Sequence, residues 1–173
     1  RVFAGVTLMS GLVIGPIILH GTSASGFRLL ADDTDAELLR LGQAAERMQR
    51  GLDELIANVP ASGRAGDAAA SREVLEAYRL VAADAGWLRR VEDAIKGGLT
   101  AEAAVHRVGG ELRDRMRRIT DPYLRERLAD IEDMAGRLMT TLSGDGPRPV
   151  VAPGSILLAR RLGPADLLDW HAA

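Results

Sequence analysis

The chain has 173 residues, a formal net charge of −2 at pH 7 and a sequence pI of about 6.0. This balance gives no support to wholesale binding of nucleic acid or of an anionic membrane. The absence of cysteine excludes disulfides, thiolate metal sites and cysteine nucleophiles, and it is typical of a cytoplasmic protein. Hydrophobic residues make up 47% of the chain but aromatic residues only 3%, so we expect an aliphatic core.

An apolar stretch near the start, residues 6–19, predicts strands rather than a membrane helix. Gly11, Gly15 and Pro16 interrupt it, and it is shorter than the ~20 residues that span a bilayer. It resembles a signal peptide only weakly. We therefore expect a buried pair of strands here. Because the first residue is Arg1 and not methionine, we also expect this chain to be part of a longer protein.

Residues 32–143 are patterned as helices. Thr34 and Glu37 have the spacing of a capping box, which predicts the start of a first helix that runs to Val59. The apolar residues of this helix recur at intervals of three and four and predict one core stripe. They are Leu38, Leu41, Ala45, Met48, Leu52, Leu55 and Val59.

Three further helices are predicted over about 71–83, 85–95 and 101–119. The pair Gly97–Gly98 ends the second of these, and Thr100 caps the third. A fifth helix follows. Asp121 is its expected N-cap, Pro122 fits the first helical position, and Gly144 supplies the stop. Its core stripe is expected to comprise Leu124, Leu128, Ile131, Ala135, Leu138 and Leu142.

Charged residues of the fifth helix are expected to face solvent. Arg125, Arg127 and Arg137 lie outside its apolar stripe. Asp133 and Arg137 can form an i, i+4 ion pair, which contributes only about 0.3–0.5 kcal/mol on an exposed helix surface.

The three histidines do not predict a catalytic or metal site. His20 follows a strand, His106 lies in the fourth helix and His171 is near the end of the chain. Glu102 precedes His106 by four residues, but one such pair on a helix is too common to indicate a metal ligand set or an acid–base pair. We therefore predict no catalytic residue, no metal site and no cofactor in this chain.

The residue order in 123–138, YLRERLADIEDMAGRL, is similar to the helical domain of the enzyme I family of phosphoenolpyruvate–protein phosphotransferases. Two other segments extend the resemblance. Residues 5–15 resemble the opening strand of that family, although its Ser-Pro-Gly turn lacks the proline here. Residues 155–166 resemble the strand and turn that return to the α/β domain, with Arg161 and Gly163 in place of the usual Asp and Thr.

The resemblance implies a mainly α fold, in which an antiparallel helical bundle is inserted in an incomplete α/β phosphohistidine domain. The first part of the α/β domain would be residues 1–30, and residues 146–173 would return to it. Residues 31–145 would form the helical domain, which in this family docks the small phosphocarrier protein HPr. Strand material at both ends of the chain agrees with this arrangement.

Seven residues match the carrier-docking face of the family. Tyr78 and Trp87 are expected to be exposed anchors, because the core stripes are otherwise aliphatic. The planar guanidinium of Arg127 suits a phosphorylated partner. The resemblance thus implies a carrier-binding set of Tyr78, Leu80, Val81, Trp87, Met116, Leu124 and Arg127, of which Leu80, Met116 and Leu124 could equally belong to the core.

The expected docking face lacks an acidic rim. Ala69, Ala70, Ala85 and Gly86 stand where the sugar-transport enzyme has an acidic rim, and Tyr78 stands where that enzyme has a histidine. Charge complementarity mainly sets the choice of partner and the association rate. These differences make the chain similar to the nitrogen-related paralogue.

The resemblance implies that the parent protein is a phosphoenolpyruvate–protein phosphotransferase that uses Mg²⁺. The chain ends before the segment in which the family carries its phosphorylated histidine, so we expect it to bind a carrier but to be inactive alone. A truncated α/β part exposes strand edges, so we also expect self-association.

Two other interpretations remain open from the residues alone. An all-helical small-molecule enzyme similar to chorismate mutase would need arginines that face the bundle interior. A helical scaffold would need longer heptad repeats than this chain has. Titration with HPr-type carriers separates all three, because only the enzyme I interpretation predicts binding.

Overall fold

The structure, a computed structural model, describes residues 10–20, 26–59, 67–116, 122–144 and 152–159, together with residues 162, 163, 166 and 170. Within these residues two short strands flank a run of helices. In chain order the elements are β1 (Ile17–His20), α1 (Thr34–Ala57), α2 (Asp67–Ala82), α3 (Ala85–Lys96), α4 (Ala101–Met116), α5 (Pro122–Ser143) and β2 (Ile156–Ala159).

The N-cap of the first helix lies one residue earlier than the sequence predicted. Asp33 is the N-cap of α1, and its carboxylate accepts hydrogen bonds from the backbone N–H groups of Asp35 and Ala36. The capping box of Thr34 and Glu37 is therefore wrong. Asp and Thr are both good N-cap residues, and the structure uses the one that comes first.

Glu37 instead ties α1 to the start of α4. Its Oε2 accepts a 2.9 Å hydrogen bond from the backbone N–H of Ala101, and Arg40 donates to the same carboxylate. Arg40 also donates a 2.5 Å bond to Oε1 of Glu102, whose side chain is largely buried. The hydrogen bond to Glu102 raises the pKa of Arg40. This network satisfies a free N–H at the start of α4.

Several other helix ends follow the predicted local signals, although α1 ends at Ala57 before the predicted Val59 and α2 begins at Asp67, four residues before its predicted start. Asp121, the expected N-cap of α5, lies outside the described residues. Gly97 is the C-cap of α3, and Gly98 has a φ of +98°, a conformation that favours glycine. The hydroxyl of Thr100 accepts a hydrogen bond from the N–H of Ala103 in the first turn of α4. Pro122 opens α5 and Gly144, with a φ of +66°, follows its last residue.

The core lies between the helices and is mainly aliphatic, as predicted. Helix α5 packs against α1, α2 and α4. Its contacts with α4 are antiparallel, because Gly109 lies beside Ala135 while Arg113 pairs with Glu132. The side chains with no significant exposure include Leu52, Leu75, Val91, Ile95, Val105, Met134 and Leu138.

The two ends of the described chain meet in a parallel pair of strands. Ile17 of β1 pairs with Ile156 of β2, and the register continues to His20 and Ala159. This pairing confirms that the helices are inserted between two parts of one sheet. The prediction of a buried strand pair in 6–19 is wrong for the described residues, because the apolar side chains Leu12, Val13, Ile14, Ile17 and Leu19 are exposed.

A short bridge joins the entry of the bundle to the turn between α3 and α4. Leu30 and Leu99 form an isolated antiparallel bridge, and the N–H of Ala31 donates a 2.9 Å bond to the carbonyl of Gly98. The hydroxyl of Thr100 donates to the carbonyl of Arg28. These bonds fix the direction in which the chain enters α1.

Candidate functional site

Helix α2 presents two different faces. Leu75, Tyr78 and Ala82 are buried and form the inner stripe. Val74 and Leu80 lie off this stripe, and Leu80 is 70% exposed. Single exposed apolar side chains are common on protein surfaces, so Leu80 is of interest because it also borders a groove and belongs to the predicted docking set. Leu80 is therefore the predicted site residue that the structure places most openly on the surface.

A shallow groove of about 210 Å³ runs beside Leu80 between α1 and α2. Arg79 and Asp53 form an ion pair of 3.5 Å across it, and both side chains are about half exposed. Leu80, Gln49 and Ala83 complete the lining. An apolar anchor beside polar side chains is the usual composition of a small protein-binding surface. We call these five residues the α1–α2 groove.

Sequence reasoning missed the α1 side of this groove. Gln49 and Asp53 lie in α1, and neither matched a motif. Their positions off the α1 core stripe indicate only that they face outward. What brings them to Leu80 is the packing of α1 against α2, and no spacing along the chain carries that information.

The small residues that replace an acidic rim are on the surface. Ala69 and Ala70 near the start of α2 are exposed, as are Ala85 and Gly86 at the start of α3. From Asp67 to Lys96 six acidic residues stand against five basic ones. The acidic residues are Asp67, Glu73, Glu76, Asp84, Glu92 and Asp93, and the basic ones are Arg72, Arg79, Arg89, Arg90 and Lys96.

Trp87 is not an exposed anchor, so that expectation is wrong. Its side chain is 7% exposed and belongs to the core with Val91 and Ile95, which follow it at helical spacing in α3. Its indole Nε1 is buried and makes no hydrogen bond among the described residues. An indole that packs along the inner stripe of α3 stabilises the bundle and supports the surface from below.

Tyr78 is also buried, which corrects the second expectation of an exposed aromatic anchor. It is 4% exposed, and its hydroxyl donates a 2.8 Å hydrogen bond to Oδ2 of Asp133. Burial, with the nearby charge of Asp133, raises the pKa of the Tyr78 hydroxyl, so it stays protonated and remains a donor. Tyr78 therefore joins α2 to α5.

Asp133 lies at a half-buried position where the sequence predicted an exposed one. Burial raises the pKa of its carboxyl, while the hydrogen bond from Tyr78 opposes that effect. Arg137, one turn later, is also not an outward-facing arginine, because its side chain is only 18% exposed. The expectation that both residues lie on an exposed helix surface is wrong.

Four of the predicted docking residues lie beyond what the structure describes at the level of side chains. Val81 and Met116 belong to α2 and α4, and Leu124 and Arg127 belong to the first turns of α5. Their place on the docking face stays a prediction.

The two α4 side chains that a metal ion could use, those of Glu102 and His106, have other neighbours. Glu102 is held by Arg40 and not by His106. The exposed ring of His106 lies 5.6 Å from the ring of Phe27. No group of three acidic or histidine side chains that could hold a metal ion occurs in the described part of the chain. None of the helices described is long and apolar enough to cross a membrane.

Comparison with known proteins agrees with the resemblance found in the sequence. Residues 4–127 match the family described as PEP-utilising enzyme, N-terminal. The phosphoenolpyruvate-protein phosphotransferase of Cupriavidus necator is 29% identical over 96% of this chain and 30% of that protein. The same enzyme of Streptococcus equinus is 34% identical over 94% of this chain and 28% of that protein. The chain thus spans less than a third of the length of these relatives.

Two solved structures share the fold. An Enzyme I structure determined by NMR matches with a TM-score of 0.68 at 23% identity, over 90% of this chain and 64% of the other. The N-terminal domain of a nitrogen Enzyme 1 matches with a TM-score of 0.66 at 22% identity, over 90% of this chain and 63% of the other. The helical bundle between paired strands, together with a family match over most of the chain, shows that this protein belongs to the PEP-utilising enzyme N-terminal family.

Proposed function

We propose that this chain is the N-terminal, carrier-docking part of a phosphoenolpyruvate–protein phosphotransferase and that its helical bundle binds an HPr-type phosphocarrier protein. The observation that carries the proposal is Leu80, which is 70% exposed at the α1–α2 groove. Family membership gives the class of reaction, since relatives that align with nearly the whole of this chain are named as such enzymes.

Leu80 would act as the apolar anchor of the docked carrier. Burial of a leucine side chain in an interface removes its apolar surface from water, which favours binding by about 1.5–3 kcal/mol. Arg79 and Asp53 flank it and would form part of the polar rim, where contacts are hydrated and contribute less. Tyr78 and Trp87 would support the surface from the core without contacting the carrier.

The partner we favour is a carrier of the nitrogen-related branch. The exposed positions Ala69, Ala70, Ala85 and Gly86 carry no charge, and acidic and basic residues nearly balance from 67 to 96. Such a surface has no electrostatic preference for a carrier with a basic docking face. Carrier affinity should therefore depend only weakly on salt, because few opposed charges are available to be screened.

Phosphoryl chemistry is assigned to the parent enzyme and not to residues of this chain. An enzyme of this class needs a histidine that accepts the phosphoryl group and a phosphoenolpyruvate site with Mg²⁺. The described residues offer no cluster of three metal-ligating side chains, so no residue here is assigned to magnesium. We expect the chain alone to dock a carrier without becoming phosphorylated, and we expect it to act in the cytoplasm.

Nuclear magnetic resonance titration of the isotopically labelled chain tests the proposal. With an HPr-type carrier of the nitrogen branch, the amide signals that move should cluster at Gln49, Asp53 and Leu80 around the groove. An unrelated globular protein of similar size and charge is the control and should move none of them. Shifts confined to β1 and β2, or no shifts with any carrier, would overturn the proposal.

A further inference from the structure

After β2 the chain returns to the helical bundle and contacts it at the carboxylate of Asp133. Gly163 is buried and lies against Asp133 of α5. A Cβ built at residue 163 would overlap Oδ2 and the carboxyl carbon of Asp133 and would crowd its Oδ1. The backbone at 163 therefore lies so close to α5 that the side chain of any other residue would overlap that carboxylate.

A second contact holds the same segment, which includes Gly163 and Asp166, against α5. Arg137, one turn after Asp133, approaches Asp166 with Nη1 and Oδ1 3.5 Å apart. The two side chains are only 18% and 22% exposed, so water screens this ion pair less than it screens a surface pair. Oδ2 of Asp166 in turn accepts a 3.3 Å hydrogen bond from the N–H of Gly163. The segment is thus held at both of its described ends.

Asp133 also connects this segment to α2. Its Oδ2 accepts the hydrogen bond from the buried hydroxyl of Tyr78. One half-buried carboxylate therefore contacts α2 on one side and the returning backbone on the other. Movement of the segment away from α5 would expose this carboxylate, which is the acceptor for the Tyr78 hydroxyl.

We propose that Asp133, Arg137, Gly163 and Asp166 form a joint that fixes the orientation of the helical bundle relative to the strand pair. We call these four residues the α5 joint. Gly163 follows the last residue of β2 by four positions, so the intervening chain spans at most about 14 Å. Fixing Gly163 against α5 therefore limits how far β2, and β1 paired with it, can turn. The joint acts whichever carrier docks.

Gly163 is the positioning residue of the joint, and the test uses a substitution that adds one methyl group. Gly163→Ala should displace the segment from Asp133. Gly136→Ala is the matched control, because a Cβ at Gly136 in α5 meets no atom within 4 Å. Gly163→Ala combined with Asp133→Ala should let residue 163 return to its position against α5, since the atoms that the new methyl group would overlap are those of the carboxylate.

The readout is the distance between two spin labels, one on the bundle and one on the strands. The chain contains no cysteine, so cysteines at the exposed positions Arg89 and Leu158 can be labelled selectively. We expect Gly163→Ala to shift and broaden the distance distribution, while Gly136→Ala leaves it unchanged. The double variant should return the distribution to that of the parent.

Thermal unfolding of the bundle, measured by circular dichroism, distinguishes opening of the joint from a general loss of stability. The bundle should melt as in the parent chain when only the joint is opened. An unchanged distance distribution in Gly163→Ala would overturn the proposal, as would a failure of the Asp133→Ala change to restore it.

Discussion

The hydroxyl of Tyr78 in α2 donates a 2.8 Å hydrogen bond to Asp133 in α5, across 55 residues of sequence. Tyr78→Phe removes this donor and leaves the ring in place. A hydrogen bond to a charged group contributes about 1.5–3 kcal/mol, so we expect the free energy of unfolding in urea to fall by that amount. The same change in an Asp133→Ala background should cost much less. Equal costs in both backgrounds would show that the bond does not stabilise the fold.

Stability should respond to the titration of Asp133. Burial raises the pKa of its carboxyl above the ordinary value of about 3.9. A group with a raised pKa contributes stability that is present below the unfolded-state pKa and is lost as pH rises through the folded-state pKa. We therefore expect the stability of the parent chain relative to Asp133→Asn to fall as pH rises from below the unfolded-state pKa of this carboxyl to above its raised folded-state pKa. Urea unfolding at several pH values measures this difference, and a rising difference would contradict the assignment.

The link between α1 and α4 should matter more than an exposed ion pair. Arg40 contacts both Glu37 and the largely buried Glu102, so Arg40→Ala leaves Glu102 without that partner. We expect a loss of about 1–3 kcal/mol in the free energy of unfolding. The control is Arg107→Ala, which removes an exposed i, i+4 pair with Glu111 and should cost only about 0.3–0.5 kcal/mol. Similar losses in both variants would be inconsistent with the network.

Trp87 should behave as a core residue whose nitrogen is dispensable. Trp87→Ala should lower the free energy of unfolding by about 3–5 kcal/mol, because it leaves a cavity. Trp87→Phe also removes the Nε1–H, which is buried and has no hydrogen-bond partner among the described residues. Removing this unsatisfied donor is favourable and offsets part of the stability that is lost with the smaller ring. We expect Trp87→Phe to stay within about 1 kcal/mol of the parent chain. A loss as large as that of Trp87→Ala would show that the indole N–H is needed.

The helices were predictable because their signals are local. The periodicity of α1, the stop at Gly97–Gly98 and the proline at the start of α5 all act within one or two turns. The N-cap of α1 was predicted wrongly because the local signal is ambiguous, since Asp33 and Thr34 can both fill that role. The pairing of β1 with β2 was expected from the strand material at both ends of the chain, together with the family resemblance.

The burial of the two aromatic residues could have been predicted from spacing. Tyr78 lies three residues after Leu75, and Trp87 lies four before Val91, so each belongs to an inner stripe. The scarcity of aromatic residues in the composition favoured the opposite conclusion. Composition describes the whole chain, whereas periodicity describes the position, and the position decided the burial.

The polar contacts between distant segments were not predictable. Nothing in the residues around Gly163 indicates that its backbone would lie against Asp133. Likewise, Asp53 and Arg79 are 26 residues apart and meet only because α1 packs on α2. Such pairs depend on the direction in which helices pack, which the sequence of either helix does not specify.

Calorimetric titration of a nitrogen-branch phosphocarrier into Leu80→Glu tests the proposed docking most directly. The control is Leu39→Glu, which makes the same change at a leucine that is 64% exposed in α1. Leu39 precedes Gln49, the nearest groove residue in α1, by ten residues and thus lies about 15 Å along the helix from the groove. We predict that Leu80→Glu weakens binding about tenfold or more, which corresponds to about 1.4 kcal/mol. Leu39→Glu should bind as the parent chain does, and both variants should keep its melting temperature. Equal affinity of the two variants for the carrier would contradict the docking of a phosphocarrier at this groove.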